Sequence, residues 1–448
     1  MLWKRGIANS SLVIFLSVAL LFIFSGCGTK PAPKVEGQIE GTPGLSGQNP
    51  AVLPDLDENS TIDNYLKYAE LNNPGLQAAF NDWKGALAKV PQAKSLDDPN
   101  LLYEHMIRDA DPEGDNRWDN VELTQMFPFF GKRRLKKEVA MQSAEAAHHK
   151  YEAEKRKLVR RVKDAYYDYY YQSRAVEIVK ENLELIKAME EVVRVRYKTD
   201  EASYPDLLRM QVEIGKMEDE SRTMTDMLKP KAAQLNAALN RPAESPVFVP
   251  TLLPEEKITY TYEEALARLP FNNPEITSME RDVAMAERSL RLAKIESLPD
   301  FMIGVEYRAV PMDAEEDRNP LMGMVGINIP LWRGKYRGMV AEAKAMYASA
   351  KGKLDETKNS LSAELEMALY EYRDAERKVS LYKDSLLPKA SQSLSSVQQA
   401  FAAAKMGFLD LIDAIQTVLE FRLSYQKALT DRAKSIAMIE MLIGRYGE

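Results

Sequence analysis

Phe301-Met302-Ile303-Gly304-Val305-Glu306-Tyr307-Arg308 is the stretch that decides the fold, because its apolar residues recur at every second position. A period of two is typical of a β-strand whose two faces differ. A turn-rich loop at 311–320 separates this stretch from a second alternating segment, Val325 to Ile329, which ends at Pro330. The pattern predicts a β-ribbon whose strands of about 9–11 residues are long enough to cross a bilayer when tilted.

The same ribbon occurs once before, about two hundred residues earlier in the chain. Leu101 to Arg108 alternates in the same way, a turn-rich loop follows at 109–114, and Val121 to Phe127 runs into Pro128. The two predicted ribbons therefore lie at about 100–128 and 300–330.

The duplication extends well beyond the ribbons. Asn72-Asn73-Pro74 returns as Asn272-Asn273-Pro274, and further along Asp206 is matched by Asp410. A single duplication of this length predicts two equivalent units side by side, which we place at 61–245 and 246–448. Each unit has the order helix, two strands, long helix, return helix.

The helices that follow the ribbons are unusually long. No proline or glycine interrupts the helical pattern from Arg133 to about Tyr197, which predicts a rod of roughly 100 Å. Its counterpart runs from Met339 to about Met406, with Gly352 and Pro388 as the candidate bends. Turns near 200–205 and 405–407 send the chain back, so each unit is a long helical hairpin with a ribbon at the other end. Such helices imply a tube or an extended coiled coil.

A basic turn follows each ribbon, Gly131-Lys132-Arg133-Arg134 in the first unit and Arg333-Gly334-Lys335-Tyr336-Arg337 in the second. Cationic side chains at such a junction either sit at lipid headgroups or solvate the end of a helix. The residues leave both interpretations open.

The amino terminus resembles a bacterial lipoprotein signal. Met1 to Arg5 is basic, Ser11 to Phe24 is apolar but short for a membrane span, and Ser25-Gly26-Cys27 is a small-residue processing site. We predict a signal peptide at 1–26, lipidation of Cys27 and a flexible tether at 27–60. The alternative is ordinary signal cleavage beside an incidental cysteine. Beyond the signal no stretch of 18 apolar residues occurs, so a membrane role has to come from the strands.

Composition excludes several other functions. The chain has 448 residues, 45% of them hydrophobic and 28% charged, which is normal for a protein with a core. Its formal charge of −7 argues against a nucleic-acid partner. No phosphate-binding loop, zinc motif or nucleophile with a nearby base is found, so neither an enzyme nor a cofactor is predicted. The adjacent His148 and His149 point to different sides of a helix, and no metal site is predicted.

Four strands cannot close a barrel, and an open sheet edge in hydrocarbon leaves backbone groups unpaired. If the ribbons enter a membrane, further copies of the chain must complete the wall. Closed bilayer barrels begin at about eight strands, so the residues allow a dimer or a trimer.

At this point the chain resembles the TolC-like outer-membrane efflux proteins, from about Ile62 to Gly444. The motifs that carry the resemblance are the two Asn-Pro openings, Gln125-Met126-Phe127-Pro128-Phe129-Phe130-Gly131-Lys132-Arg133, Ile327-Asn328-Ile329-Pro330-Leu331-Trp332 and Gly407-Phe408-Leu409-Asp410-Leu411-Ile412-Asp413-Ala414. The resemblance implies a mainly α fold with a small membrane β-part. It also implies a homotrimer in which a barrel of about twelve strands continues into an α-helical periplasmic tunnel.

The resemblance further implies a passive exit duct in the outer membrane, served by a periplasmic adaptor and an inner-membrane pump. The second hairpin, Ala404 to Asp410, is similar to the heavy-metal branch of cobalt-zinc-cadmium type, which makes metal cations one candidate cargo. Ala404 and Asp200 replace the glycine that this branch carries. The competing hypothesis is a lipid-anchored periplasmic coiled coil without a pore.

Candidate site residues lie at the hairpin turns. Asp410 and Asp413 are three residues apart and share a helix face, so a symmetric assembly would present a carboxylate ring that favours cations. By resemblance this is the periplasmic gate, and the alternative is a charge that stabilises the helix N-terminus. The expected adaptor-contact residues are Tyr197, Ser203, Tyr204, Asp206, Phe401, Lys405, Gly407 and Phe408.

Overall fold

The computed structural model describes residues 53–106, 118–250, 253, 257–258, 261–309, 320–403 and 405–444. The first repeat contains α1 (Ile62–Asn72), α2 (Pro74–Lys94), β1 (Asn100–His105), β2 (Asp119–Phe127), α3 (Lys132–Lys198), α4 (Tyr204–Asp226) and α5 (Leu228–Ala238). The second contains α6 (Tyr262–Asn272), α7 (Pro274–Ile295), β3 (Phe301–Ala309), β4 (Leu321–Ile327), α8 (Arg333–Leu381), a π-helical segment (Tyr382–Leu386), α9 (Leu387–Ala402) and α10 (Phe408–Ile443). The predicted order of elements is confirmed in both repeats.

The repeated Asn-Asn-Pro sequence ends one helix, begins the next and ties both to the return helix. The Asn73 side chain accepts a hydrogen bond from the Leu76 N–H at 3.0 Å, and its amide donates to the Ala238 carbonyl at 3.0 Å. Asn273 caps α7 in the same way and donates to the Leu442 carbonyl at 3.0 Å. The first helix expected in the first unit is therefore two helices, α1 and α2, that meet at Asn73.

The four strands form one antiparallel sheet in the order β1-β2-β3-β4. Described strand lengths are six, nine, nine and seven residues, at or below the expected range. Residues 107–117 and 310–319 lie outside the described part, and they include the predicted end of the first strand and both predicted turn-rich loops except Pro320.

One face of this sheet is apolar and exposed. The register places Leu101, Leu123 and Val305 side by side, and the next row of the same face contains Tyr103, Val121, Tyr307 and Leu321. Exposed apolar side chains of this face are Leu101, Tyr103, Phe127, Ile303, Val305, Leu321, Val325 and Ile327. A contiguous apolar surface of this kind marks a contact with lipid or protein.

The two long rods differ more than their sequences suggest. α3 is continuous over 67 residues, about 100 Å, as predicted. The second rod is α8 of 49 residues, then five residues of π-helix, then α9 of 16 residues. Gly352 lies inside α8 without interrupting it, whereas the irregularity lies next to Pro388, which has no N–H to donate to the preceding turn.

The two return segments also differ. The second is the single 36-residue helix α10, whereas the first divides at Met227 into α4 and α5. α3 contacts α4 and α5, which complete the first hairpin, and also α10 of the second hairpin. One apolar core therefore joins the two repeats along α3.

Lys132, at the start of α3, follows neither interpretation that we considered for the basic turns. Its side chain is only 2% exposed. The ammonium group donates to the carbonyls of Glu296 (3.2 Å) and Leu298 (2.9 Å) and to Asp300 Oδ1 (2.9 Å). Gly131, which precedes it, has a φ of +98°, a conformation that favours glycine. Lys132 thus joins the exit of the first ribbon to the entry of the second.

Candidate functional site

The first hairpin tip runs from the end of α3 to the start of α4. Asp200 has a φ of +57°, a left-handed conformation that aspartate tolerates better than most residues. Ser203 caps α4, where its hydroxyl donates to Asp206 Oδ2 at 2.6 Å and its N–H reaches the same oxygen at 3.3 Å. The carboxylate of Asp206 therefore accepts hydrogen bonds from Ser203, the N-cap residue of α4. It also lies at the helix N-terminus, where negative charge is favourable.

The second tip repeats this arrangement with fewer side chains. The Gly407 N–H donates to Asp410 Oδ2 at 3.1 Å, so Asp410 takes the place in α10 that Asp206 takes in α4. Asp410 thus performs the helix-capping role that we held as the alternative to a gate, and Asp206, an expected adaptor-contact residue, caps α4 in the same way. Ala404, which we expected at this turn, lies outside the described residues.

Asp413 has surroundings unlike those of Asp410. It lies on the exposed side of α10, whereas the neighbouring Leu411, Ile412 and Ala414 are buried. In the part of the chain that the structure describes, Asp413 makes no hydrogen bond and no ion pair. On the same exposed side, the Gln416 amide donates to Glu213 of α4 at 3.3 Å, so the acidic side chains border the seam between the two hairpins.

The expected tip residues divide into a buried and an exposed group. Phe401 and Phe408 are 3% and 6% exposed and belong to the core between the hairpins, so their side chains support the tip rather than form its surface. Tyr197 and Tyr204 are exposed, with ring centroids 5.9 Å apart across the first turn. The exposed remainder of the second turn includes Lys405 and Gly407.

Arg196 connects the two tips and was missed by the sequence interpretation. Its guanidinium donates to the Phe401 carbonyl at 2.8 Å and to the Glu201 carbonyl at 2.9 Å, and it lies 4.5 Å from the centroid of the Phe401 ring. The position that matches it in the second repeat is Ala400, so the duplication gave no signal. A basic residue in the last turn of a helix is common, and nothing in the local sequence indicates a partner on another hairpin.

Other predicted features were also located or fall outside the described part. Cys27, the signal segment and most of the tether lie outside the described residues. Among the residues that the structure describes, no three His, Cys, Asp or Glu side chains converge as a metal site would require. The helices in the described ranges include none that is both long and apolar enough to span a membrane.

Comparison with known proteins agrees with this geometry. The model of the outer membrane efflux protein family matches residues 66–241 and 262–445, one segment for each repeat. The cobalt-zinc-cadmium resistance protein CzcC of Cupriavidus metallidurans is 23% identical over 175 residues, which are 39% of this chain and 41% of that protein. The match thus spans less than half of the relative.

Solved structures with the same fold include an outer membrane protein and an outer membrane channel. VceC of Vibrio cholerae superposes with a TM-score of 0.74 at 18% identity, covering 86% of this chain and 97% of that one. CmeC of Campylobacter jejuni gives 0.75 at 13% identity, with 90% of each chain covered. Since the two family segments contain both ribbons and both hairpins of the described structure, the chain belongs to the outer membrane efflux protein family.

Proposed function

We propose that three copies of this chain form a passive exit duct in the outer membrane of a bacterium. The observation that carries the proposal is the exposed apolar face of a sheet whose outer strands are β1 and β4. Lipid would cover that face, and neighbouring copies would pair the outer strands, because unpaired backbone groups in hydrocarbon cost several kcal/mol each. The helices continue from the strands and would extend the wall into the periplasm.

We further propose that the duct belongs to a tripartite system with a periplasmic adaptor and an inner-membrane pump. The exposed Tyr197, Ser203 and Tyr204 of the first tip, with Lys405 and Gly407 of the second, are the surface that an adaptor would grip. Aromatic side chains with a polar end are enriched in protein interfaces, which supports the tyrosine pair as the anchor. Lipidation of Cys27 would add an anchor to the outer membrane.

The gate assignment narrows to Asp413. Asp410 caps α10, whereas Asp413 is exposed and unbonded within the described chain, so its charge is free to act on ions. In a trimer three copies of Asp413 would surround the axis, and a carboxylate ring favours cations. Metal cations are the cargo we propose, on the similarity to a cobalt-zinc-cadmium resistance protein and on this acidic lining.

A planar-bilayer experiment tests the duct and the gate together. The full-length protein should conduct, and Asp413→Asn should lower cation selectivity severalfold at low salt with unchanged thermal stability, since the side chain has no bonding role. The effect should shrink near 1 M salt, where the screening length is about 3 Å.

Asp206→Asn is the matched control, because it weakens a similar helix cap on the other hairpin without touching Asp413. Its expected effect is a small loss of stability, about 1 kcal/mol, with selectivity unchanged. A protein that never conducts would favour the lipid-anchored coiled coil instead. Conductance with unaltered selectivity in Asp413→Asn would remove the gate assignment alone.

A further inference from the structure

In the part of the chain that the structure describes, the junction around Lys132 occurs once, although the chain contains two repeats. Lys132, in the first turn of α3, binds the loop that leads into the second ribbon, 296–300. Asp300 is held from a second direction, because its Oδ1 also accepts the Phe129 N–H at 2.7 Å. One cation and one carboxylate thus join the exit of one ribbon to the entry of the next.

The second repeat contains the same cation without its partner. Gly131-Lys132 is matched by Gly334-Lys335, at the spacing that also relates Leu158 to Leu361 and Ala165 to Ala368. Arg333 adds a second cation, and Arg333 and Lys335 are both exposed. In the described part of the chain neither residue forms an ion pair.

The loop that would receive these cations also lies open. By the repeat, 296–300 corresponds to 96–100, which leads into the first ribbon. Residues 297–300 are partly covered, whereas Asp97, Asp98, Pro99 and Asn100 are all exposed. Asn100 stands where the second repeat has Asp300, and the carboxylates are two or three residues earlier, at Asp97 and Asp98. The open loop is therefore acidic where the open turn is basic.

The helices that follow the two basic turns, α3 and α8, also differ in how many neighbouring helices they have. α3 packs between α2 and α7, and its buried residues begin at Lys132. α8 packs against α7, but its first buried residue is Leu361, so the whole segment 333–360 has no buried residue. By the repeat, the helix that α8 lacks is a second copy of α2. α2 ends at Lys94, directly before the acidic loop.

We infer that the Arg333–Lys335 turn of one copy binds the Asp97–Asp98 loop of the next copy, as Lys132 binds Asp300 within a chain. This inference rests on the proposed function, since it supplies the contact that joins β4 and α8 to β1 and α2 of a neighbour. Attraction across a partly covered site is far stronger than between fully solvated charges, and a closed ring repeats it at every subunit boundary. The two basic turns therefore perform the same task, one within a subunit and one between subunits.

A charge-exchange experiment tests the inference on the full-length protein in detergent. The readout is the temperature at which the oligomer dissociates, followed by gel migration. Arg333→Glu with Lys335→Glu should lower this temperature by about 5 °C or more, and Asp97→Lys with Asp98→Lys should do the same. All four substitutions together should restore most of the loss, because the pairs are regenerated with opposite sign.

Lys180→Glu with Lys389→Glu is the matched control, since both lysines are exposed, lie outside segment 333–360 and form no ion pair in the described part of the chain, and the charge change is identical. The control should leave the temperature almost unchanged. Combined with Asp97→Lys and Asp98→Lys it should not rescue, although the net charge returns to its original value.

Four results would overturn the inference. A loss confined to the Arg333 and Lys335 substitutions, without rescue, would mean that these side chains bind lipid phosphate. Equal losses in the control would mean that only net charge matters. A wild-type protein that is monomeric and does not conduct would remove the proposed function as well, whereas a conducting wild-type oligomer without rescue removes the ion pair alone.

Discussion

Asp168 and Asp164 lie one turn apart on α3, yet their surroundings shift the pKa values of their carboxyl groups in opposite directions. Burial of Asp168 opposes its ionisation, but hydrogen bonds from Lys434 of α10 and Lys231 of α5 outweigh it and hold the pKa of its carboxyl below the ordinary value. Burial raises the pKa of Asp164, against the charges of Arg160 and Lys434. Asp168 therefore stabilises the joint between three helices as an anion, whereas the charge of Asp164 is a cost.

Asp168→Asn should destabilise the protein by about 2 kcal/mol at pH 7, because two lysine ammonium groups lose an anionic acceptor. Since the folded-state pKa is depressed, the stabilisation is present above the unfolded pKa, near 4, and is lost as the pH falls through the lower folded value. The difference in melting temperature between wild type and variant should therefore shrink below about pH 4.

Asp164→Asn is the control for this measurement. Its pKa is raised, so removal of its charge should leave the melting temperature at pH 7 unchanged or increase it. If the Asp164 variant loses as much stability as the Asp168 variant, burial rather than the lysine contacts governs both sites.

At the scale of elements, the two hairpins of one chain are held together at their tips by few polar contacts. Arg196 of α3 provides two hydrogen bonds and a cation–π contact, and one of its bonds crosses to the second hairpin at Phe401. Its own carbonyl accepts the N–H groups of Glu201 at 2.8 Å and Ala202 at 3.2 Å, which shapes the turn. One residue thus organises the first tip and attaches it to the second.

Arg196→Ala should loosen both tips. We expect a local loss of stability of about 2–4 kcal/mol, because the substitution removes a buried cation and leaves the carbonyls of Phe401 and Glu201 without this hydrogen-bond donor. Hydrogen exchange should become faster at residues 199–206 and near 401, and Arg196→Lys should rescue only in part, since lysine cannot reproduce the planar fork.

Arg194→Ala is the matched control two residues away. Arg194 is 43% exposed and pairs with Glu190 and Glu191 of its own helix, so its removal should leave stability almost unchanged. Unchanged exchange at the tips in Arg196→Ala would contradict the connecting role.

At the scale of the whole molecule, a single copy of the described chain leaves three surfaces without a partner. Its sheet has two outer strands, its α8 has a long unburied segment, and one face of its sheet is apolar and exposed. These three features are satisfied together when copies of the chain close a ring with that apolar face in lipid. The assembly would then depend on residues after 60, and not on the amino-terminal tether.

Replacement of residues 1–27 by the signal peptide of a protein that is not lipidated tests this division. We expect loss of radioactive palmitate incorporation, because Cys27 is removed, with oligomer formation and conductance retained. The control is a variant in which residues 1–26 are replaced by the signal of another lipoprotein, so that Cys27 remains the first residue after cleavage. A variant that stays monomeric would show that the lipid anchor is part of the assembly.

Local patterns in the sequence determined much of this protein. Alternation identified the strands, the absence of proline and glycine identified the 67-residue rod of α3, and the duplication identified two equivalent units. These features are readable because period, breakers and repeats act over a few neighbouring residues. The Asn73-Pro74 dipeptide also indicates the break between α1 and α2, although the sequence did not identify Asn73 as a helix cap.

Only the tertiary structure decided which long-range partners those residues have. Lys132 meets Asp300 across 168 positions and Arg196 meets Phe401 across 205, and neither partner leaves a mark beside the other in the chain. Helix packing also places Phe401 and Phe408 in the core and leaves Asp413 exposed, a difference that their positions near the second turn did not predict. The physical reason is that burial is decided by which helices pack together, and that packing is a property of the folded chain.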